Sequence, residues 1–174
     1  MTEFHITSND EILRIARVLS RIAWPMPVRS MGQLATELGW QSGETDTSVR
    51  ITTNLPVNAR MTKLIRHGDE LGEFSVYISD HAMANASSSE LDTCRDCIAE
   101  SFKSVRSSLS CEYGAWSSHR PGDAWWDLPT GGRLKLSGDG SVLALRILSQ
   151  HYADVERSEE RLGIRQDRVL GEDE

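Results

Sequence analysis

Cysteine is scarce in this chain. Three occur in 174 residues, an odd number without the framing of a secreted disulfide scaffold. Basic residues are outnumbered, 19 against 26 acids, which leaves a net charge of −7. An acid-rich surface repels phosphate, which disfavours general nucleic-acid binding and docking on an anionic membrane and favours a basic partner. Long apolar runs are missing too: none approaches the ~20 residues that span a bilayer. Residues 1–5 show no basic stretch followed by an apolar one, the pattern of a signal peptide. The expected location is the cytoplasm, with reduced thiols. No repeat of solenoid length occurs.

What is present suits an ordinary globular domain. Apolar residues make up 39% of the chain and charged residues 26%, enough to bury a core and close to the globular average. The expected organisation is one domain over 1–170 followed by an acidic tail, 171–174. The charge is uneven. Residues 41–90 carry four bases and seven acids, and residues 151–174 carry four bases and eight acids. The remaining segments are neutral.

The first forty residues have helical periodicity. Ser8 and Glu11 have capping-box spacing, and Ile12, Ile15, Ala16, Leu19 and Ile22 recur on one face. A helix is predicted over 9–23, stopped by Pro25, since proline disfavours helical geometry at the preceding residue. Ser30 and Gln33 suggest a second box, a helix over 31–38, and a left-handed cap at Gly39. Together these predict an N-terminal helical hairpin with Trp24 and Trp40 filling its ends.

From residue 46 the period becomes two. Strands are predicted at 46–54, 61–66 and 72–80, the last with Phe74, Val76 and Ile78 on one face and Ser75, Tyr77 and Ser79 on the other. His67-Gly68-Asp69-Glu70 reads as a polar turn. Leu91, Cys94, Ile98, Phe102, Val105 and Leu109 fall within about 80° on a helical wheel, so one long core helix is predicted over 89–109. Three more strands follow, at 124–128, 132–137 and 141–148. Gly138-Asp139-Gly140 supplies a hairpin turn, and 152–162 suits a terminal charged helix. The fold class is therefore α+β: a helical hairpin, an antiparallel sheet from two runs of strands, and one long helix packed on the sheet.

Cys94-x-x-Cys97 resembles a redox or zinc motif, yet Cys94 falls on the core stripe one turn into a helix and no second pair exists. Structural thiols are expected, with no cofactor and no metal. The histidines His5, His67, His81, His119 and His151 form no ligand pair and read as loop or surface residues. The two glycine turns precede strands rather than helices, so they are not phosphate loops.

Trp125 and Trp126 are neighbours in a strand and face opposite sides of the sheet. Either one is an outward binding anchor, with Asp127 beside Trp125 and Tyr77 also outward, or the first or second helix covers the second face. Glu44, Asp46, Asp69, Glu70 and Glu73 cluster around the first strands. They form either an edge that steers a basic partner or a solvated rim. Glu156, Glu159 and Glu160 carry the same two readings.

The pattern Trp126-Asp127-Leu128-Pro129-x-Gly131-Gly132-x-Leu134-x-Leu136, then Val142-x-Ala144-Leu145 and Ser149-x-x-Tyr152, resembles a family of small actinobacterial proteins of unknown function. Trp24-Pro25 and Leu38-Gly39-Trp40 extend the resemblance to the N-terminal part. The resemblance implies an immunity protein of a polymorphic toxin system, which binds and blocks a cognate secreted toxin such as a basic nuclease or an NAD-consuming toxin. It supplies no catalytic residues, and a non-enzymatic role is expected. The alternatives are a secretion chaperone that holds a client protein, and an enzyme with a thiol nucleophile. A monomer and a homodimer both remain open.

Overall fold

A computed structural model describes residues 4–45, 48–82 and 86–164. The acidic tail 171–174 and Asp46 lie outside the described residues. The first half runs α1 (Asn9–Ser20), α2 (Met31–Glu37), β1 (Gln41–Thr45), β2 (Ser48–Thr52), β3 (Lys63–His67) and β4 (Glu70–Tyr77). The second runs α3 (Ser88–Tyr113), β5 (Asp123–Asp127), β6 (Arg133–Gly138), β7 (Leu143–Leu148) and α4 (Gln150–Leu162). The strands form a five-stranded antiparallel sheet, in the order β3-β4-β7-β6-β5, and a separate β1-β2 hairpin. The predicted α+β class is the observed one.

The local signals account for most of the elements. Ser8 Oγ accepts from the Glu11 amide and starts α1. The reciprocal half of that box is missing, because the Glu11 carboxylate takes Arg14 instead. The helix ends at Ser20, three residues before the predicted boundary and well short of the cis Trp24–Pro25 bond. Ser30 is not a cap. It sits in a 3-10 turn, Val28–Ser30, that runs on into α2, so its backbone is already helical, and the extended residue before the turn is Pro27, whose side chain has no oxygen to cap with. Gly39 is left-handed at φ 70°, as predicted. The Ser87–Glu90 pair forms a complete capping box for α3, which runs four residues beyond its predicted end. Its buried stripe is Ile98, Phe102, Val105 and Leu109, whereas Leu91 and Cys94 are only half-buried.

The main departure concerns the first strand run. Gln41-Ser42-Gly43-Glu44-Thr45 has no apolar alternation, so β1 was not legible. It pairs with β2, and the two form their own sheet under α2. The predicted strand at 46–54 therefore does not join β3 and β4; its link to that region is the Thr52–Met61 bridge.

The core lies between one face of the large sheet and the helices α1 and α3. Phe74, Val76, Leu134, Leu136, Leu145, Ile147 and Trp126 fill it, with Ile12, Ile15 and Leu19 from α1. Trp40 is buried in the same cluster and Trp24 packs partly against it. Glycine turns join the last strands: Gly131 and Gly140 have φ of 90° and 86°. The Asp139 carboxylate accepts from the Ser141 and Val142 amides and fixes the second of these turns.

Candidate functional site

The strand period of two that sends Leu134 and Leu136 into the core sends Arg133 and Lys135 to the opposite face. The register then assembles a charged layer there. Arg146 on β7 stands between Ser75 on β4 and Lys135 on β6, and Lys135 stands opposite Trp125 on β5. One step along, Arg133 is opposite Asp127. Helix α4 packs over this face against β4 and β7.

Arg133 is the centre of the layer and is 1% exposed. Its Nε donates to Asp127 at 3.0 Å, and its Nη1 donates to Glu156 at 2.9 Å and to Glu160. Lys135 Nζ donates to Glu156 at 2.7 Å. Arg146 Nε donates to Glu73 at 2.9 Å, and Glu73 also accepts from Ser75 Oγ. From α4, Arg157 reaches back to Asp127 at 2.9 Å and to the Gly131 carbonyl at 3.0 Å. Burial opposes the charge on Arg133, but the carboxylates of Glu160, Asp127 and Glu156 outweigh it and raise its pKa. Burial pushes the Glu73 carboxyl up, and the Arg146 guanidinium more than offsets this, so its pKa is lowered.

Trp125 lies in this layer and not on the surface. It is 5% exposed, under the Arg133 guanidinium at 5.2 Å and beside the His119 ring at 4.6 Å. Trp126 is 2% exposed on the core side, with Nε1 donating to the Gly114 carbonyl at 3.1 Å. The outward-anchor reading of this pair is therefore corrected: both are covered. The cover over the second face is α4 and the 114–122 loop, which pairs through Ser117 with Trp125, rather than α1 or α2.

A second feature lies at the end of the sheet. Trp24, His67, Glu70, His151 and Asp154 line a depression of about 270 Å³ with Pro25 and the start of α4. The His67 and His151 rings stack there at 4.2 Å. Asp69, at the tip of the β3–β4 turn, is fully exposed and 3.2 Å from Arg66.

The predicted acids thus do not converge. Glu73 is buried, and Asp127 belongs to the α4 network. Asp69 and Glu70 sit at the turn. Glu44 lies opposite Val49 in β1, and its side chain is outside the description. Tyr77 is half-buried, edge-on to His81 at 4.6 Å. Sequence reasoning missed Arg133, Lys135 and Arg146. Their alternation with core leucines was readable, but it looks the same for a solvated face. Among the described residues no group of three metal-binding side chains occurs, and no helix is long and apolar enough to cross a membrane. The three thiols are free, Cys111 is exposed, and burial raises the pKa of Cys94.

A family model described as a family of unknown function, DUF6301, matches residues 10–149. The matched span runs from α1 through β7, and α4 lies beyond it. No curated protein and no solved structure matches the chain.

Proposed function

We propose, from the premise that the chain belongs to this family of unknown function, DUF6301, that it is a cytoplasmic immunity-type protein. It binds and neutralises a cognate secreted bacterial toxin with a basic surface, a nuclease or an NAD-consuming enzyme. The observation that carries this reading is the end of the sheet. Glu70 and Asp154 line a depression with Trp24, His67 and His151, and Asp69, next to Glu70 in the turn, is fully exposed. An arginine or lysine of a partner fits such a place. Its stem packs on the rings and its charge meets the carboxylates. The net charge of −7 adds steering toward a basic partner.

The protein is read as a binder and not as an enzyme. The raised pKa of Cys94 disfavours a thiolate nucleophile there. The test is co-expression with each candidate toxin encoded by a neighbouring gene: cells survive with the native chain and die without it. No rescue from any neighbouring toxin overturns the proposal.

One observation favours a secretion chaperone as a second reading. Val155 and Leu162 of α4 are 45% and 75% exposed and suit self-association or a client. That reading requires a stable homodimer, and sedimentation as a strict monomer removes it.

A further inference from the structure

Helix α4 is inverted relative to an ordinary surface helix, which turns its apolar stripe inward. Here Glu156 and Glu160 face the sheet and meet Lys135 and Arg133. The one fully buried residue of α4 is Ala153, while Val155 and Leu162 point to solvent. The helix is therefore held by these ion pairs together with Ala153, the Tyr152 ring packed on Gly72 and the His151–His67 stack.

The face beneath it has the opposite character. Arg133 and Lys135 of β6 lie over the ring of Trp125, and Arg146 stands opposite Lys135 on β7, in a chain of net charge −7. The sheet's own carboxylates, Glu73 and Asp127, pair with Arg146 and Arg133. Lys135 takes its carboxylate from α4. With α4 in place these cations are buried, and Lys135 depends on α4 for the carboxylate that offsets its burial.

We propose that the face is a docking site for an acidic helical segment of a partner protein, and that α4 is the built-in occupant which such a segment displaces. Charge complementarity sets the chemistry of the partner. Two carboxylates one helical turn apart, at the spacing of Glu156 and Glu160, span Arg133 and Lys135. The tether gives α4 the higher effective concentration, so a free segment displaces it only in excess. The family match includes the strands of the receptor face and stops at its last residue before α4. His151 and Asp154 of α4 also line the depression of the toxin reading, so the two readings share this helix; rescue from a toxin tests that reading and peptide exchange tests this one, so each fails separately.

The probe is a fluorescent synthetic peptide with the sequence of residues 149–164, beside a control peptide carrying E156Q and E160Q. On the native full chain, hydrogen exchange is followed with excess peptide, and separately in about 1 M salt, which screens ion pairs. The α4 amides are expected to lose protection in both while β6 and β7 keep theirs. On the full chain carrying E156Q and E160Q, the acidic peptide is expected to bind at least about tenfold tighter than to the native chain, because the competing occupant is weakened. The control peptide is expected not to bind. Three results overturn the proposal. The first is α4 protection equal to that of β7 under both conditions. The second is no peptide binding by a folded E156Q/E160Q chain. The third is opening of α4 by a single-stranded oligonucleotide but not by the peptide, which makes the site one for nucleic acid. If the variant does not fold, the exchange experiment on the native chain decides alone.

Discussion

Lys135 on β6 stands directly opposite Arg146 on β7, two cations paired across the sheet on one face. Like charges in such a pair repel and destabilise a sheet. Two carboxylates from different elements resolve the conflict. Glu73, on the neighbouring strand β4, takes Arg146 at 2.8 Å, and Glu156, one helix later, takes Lys135 at 2.7 Å. The pair is stable only as part of a charged layer that includes α4, and several expectations follow from that dependence.

Arg133 joins three carboxylates while 1% exposed. Arg133→Met leaves Asp127, Glu156 and Glu160 facing one another without their shared cation. Breaking a buried ion pair costs about 3–5 kcal/mol, and the urea midpoint should fall accordingly. Arg133→Lys keeps the charge but lacks the planar fork that reaches several partners, so an intermediate loss is expected.

Acid should unfold the protein through Glu73 and Asp127. For each, burial raises the pKa and the neighbouring guanidinium groups lower it further, Arg146 for Glu73, and Arg133 with Arg157 for Asp127. Both carboxyls end below their ordinary values, 4.5 for Glu73 and 3.8 for Asp127. As pH falls the unfolded chain takes up these protons first, which favours unfolding. The contribution is complete above about pH 5 and is lost as pH drops through the ordinary values and then the folded ones. Denaturant midpoints measured across that window should decline, and Glu73→Gln should flatten the decline while lowering the midpoint at neutral pH.

Gly132 is required by close approach. A Cβ there would lie 2.8 Å from the Leu148 carbonyl oxygen and 2.5 Å from Trp24 Nε1. The carbonyl belongs to β7 and cannot move without disturbing the sheet. Gly132→Ala should cost about 1–3 kcal/mol, seen as a lower melting temperature. Gly43→Ala, where nothing lies within 4 Å of the added carbon, is the control and should change the melting temperature little.

The exposed turn acids should act on encounter, not on folding. Asp69→Lys with Glu70→Lys should leave stability within about 0.5 kcal/mol of the native chain. Association with a basic cognate toxin should slow, and its salt dependence should weaken, as stopped-flow mixing would record. An unchanged association rate removes this edge from the interface.

Replacing Cys94, Cys97 and Cys111 together by serine should leave toxin neutralisation intact, since two are half-buried and one is exposed. Loss of function in a variant that keeps its circular dichroism spectrum and melting temperature would instead reinstate a thiol mechanism.

The helices and the last three strands were legible because their signals are local. Ser87 and Glu90 lie three residues apart and cap α3 in both directions. Gly138-Asp139-Gly140 turns β6 into β7 with bonds that reach no further than Val142. The first strand was not legible. Gln41 to Thr45 is polar throughout, and β1 exists because β2 pairs with it and α2 packs over both.

The candidate site divides in the same way. Asp69 and Glu70 stood out as acids in a turn and remain at the surface beside the depression. Glu73 looked like part of the same cluster, yet strand alternation and the register of β4 against β7 carry it to a buried pair with Arg146.

By itself the sequence determined the α+β class, the start of α1, the glycine turns and the core-facing sides of β4, β6 and β7. Those follow from periodicity, capping and backbone freedom within a few residues. Only the tertiary structure decided that the opposite face is also covered. An Arg133 or Lys135 alternating with leucines reads identically whether water or a helix lies above it. The deciding carboxylates, Glu156 and Glu160, lie more than twenty residues away in the chain, and their pairing depends on where β7 releases α4 over the sheet.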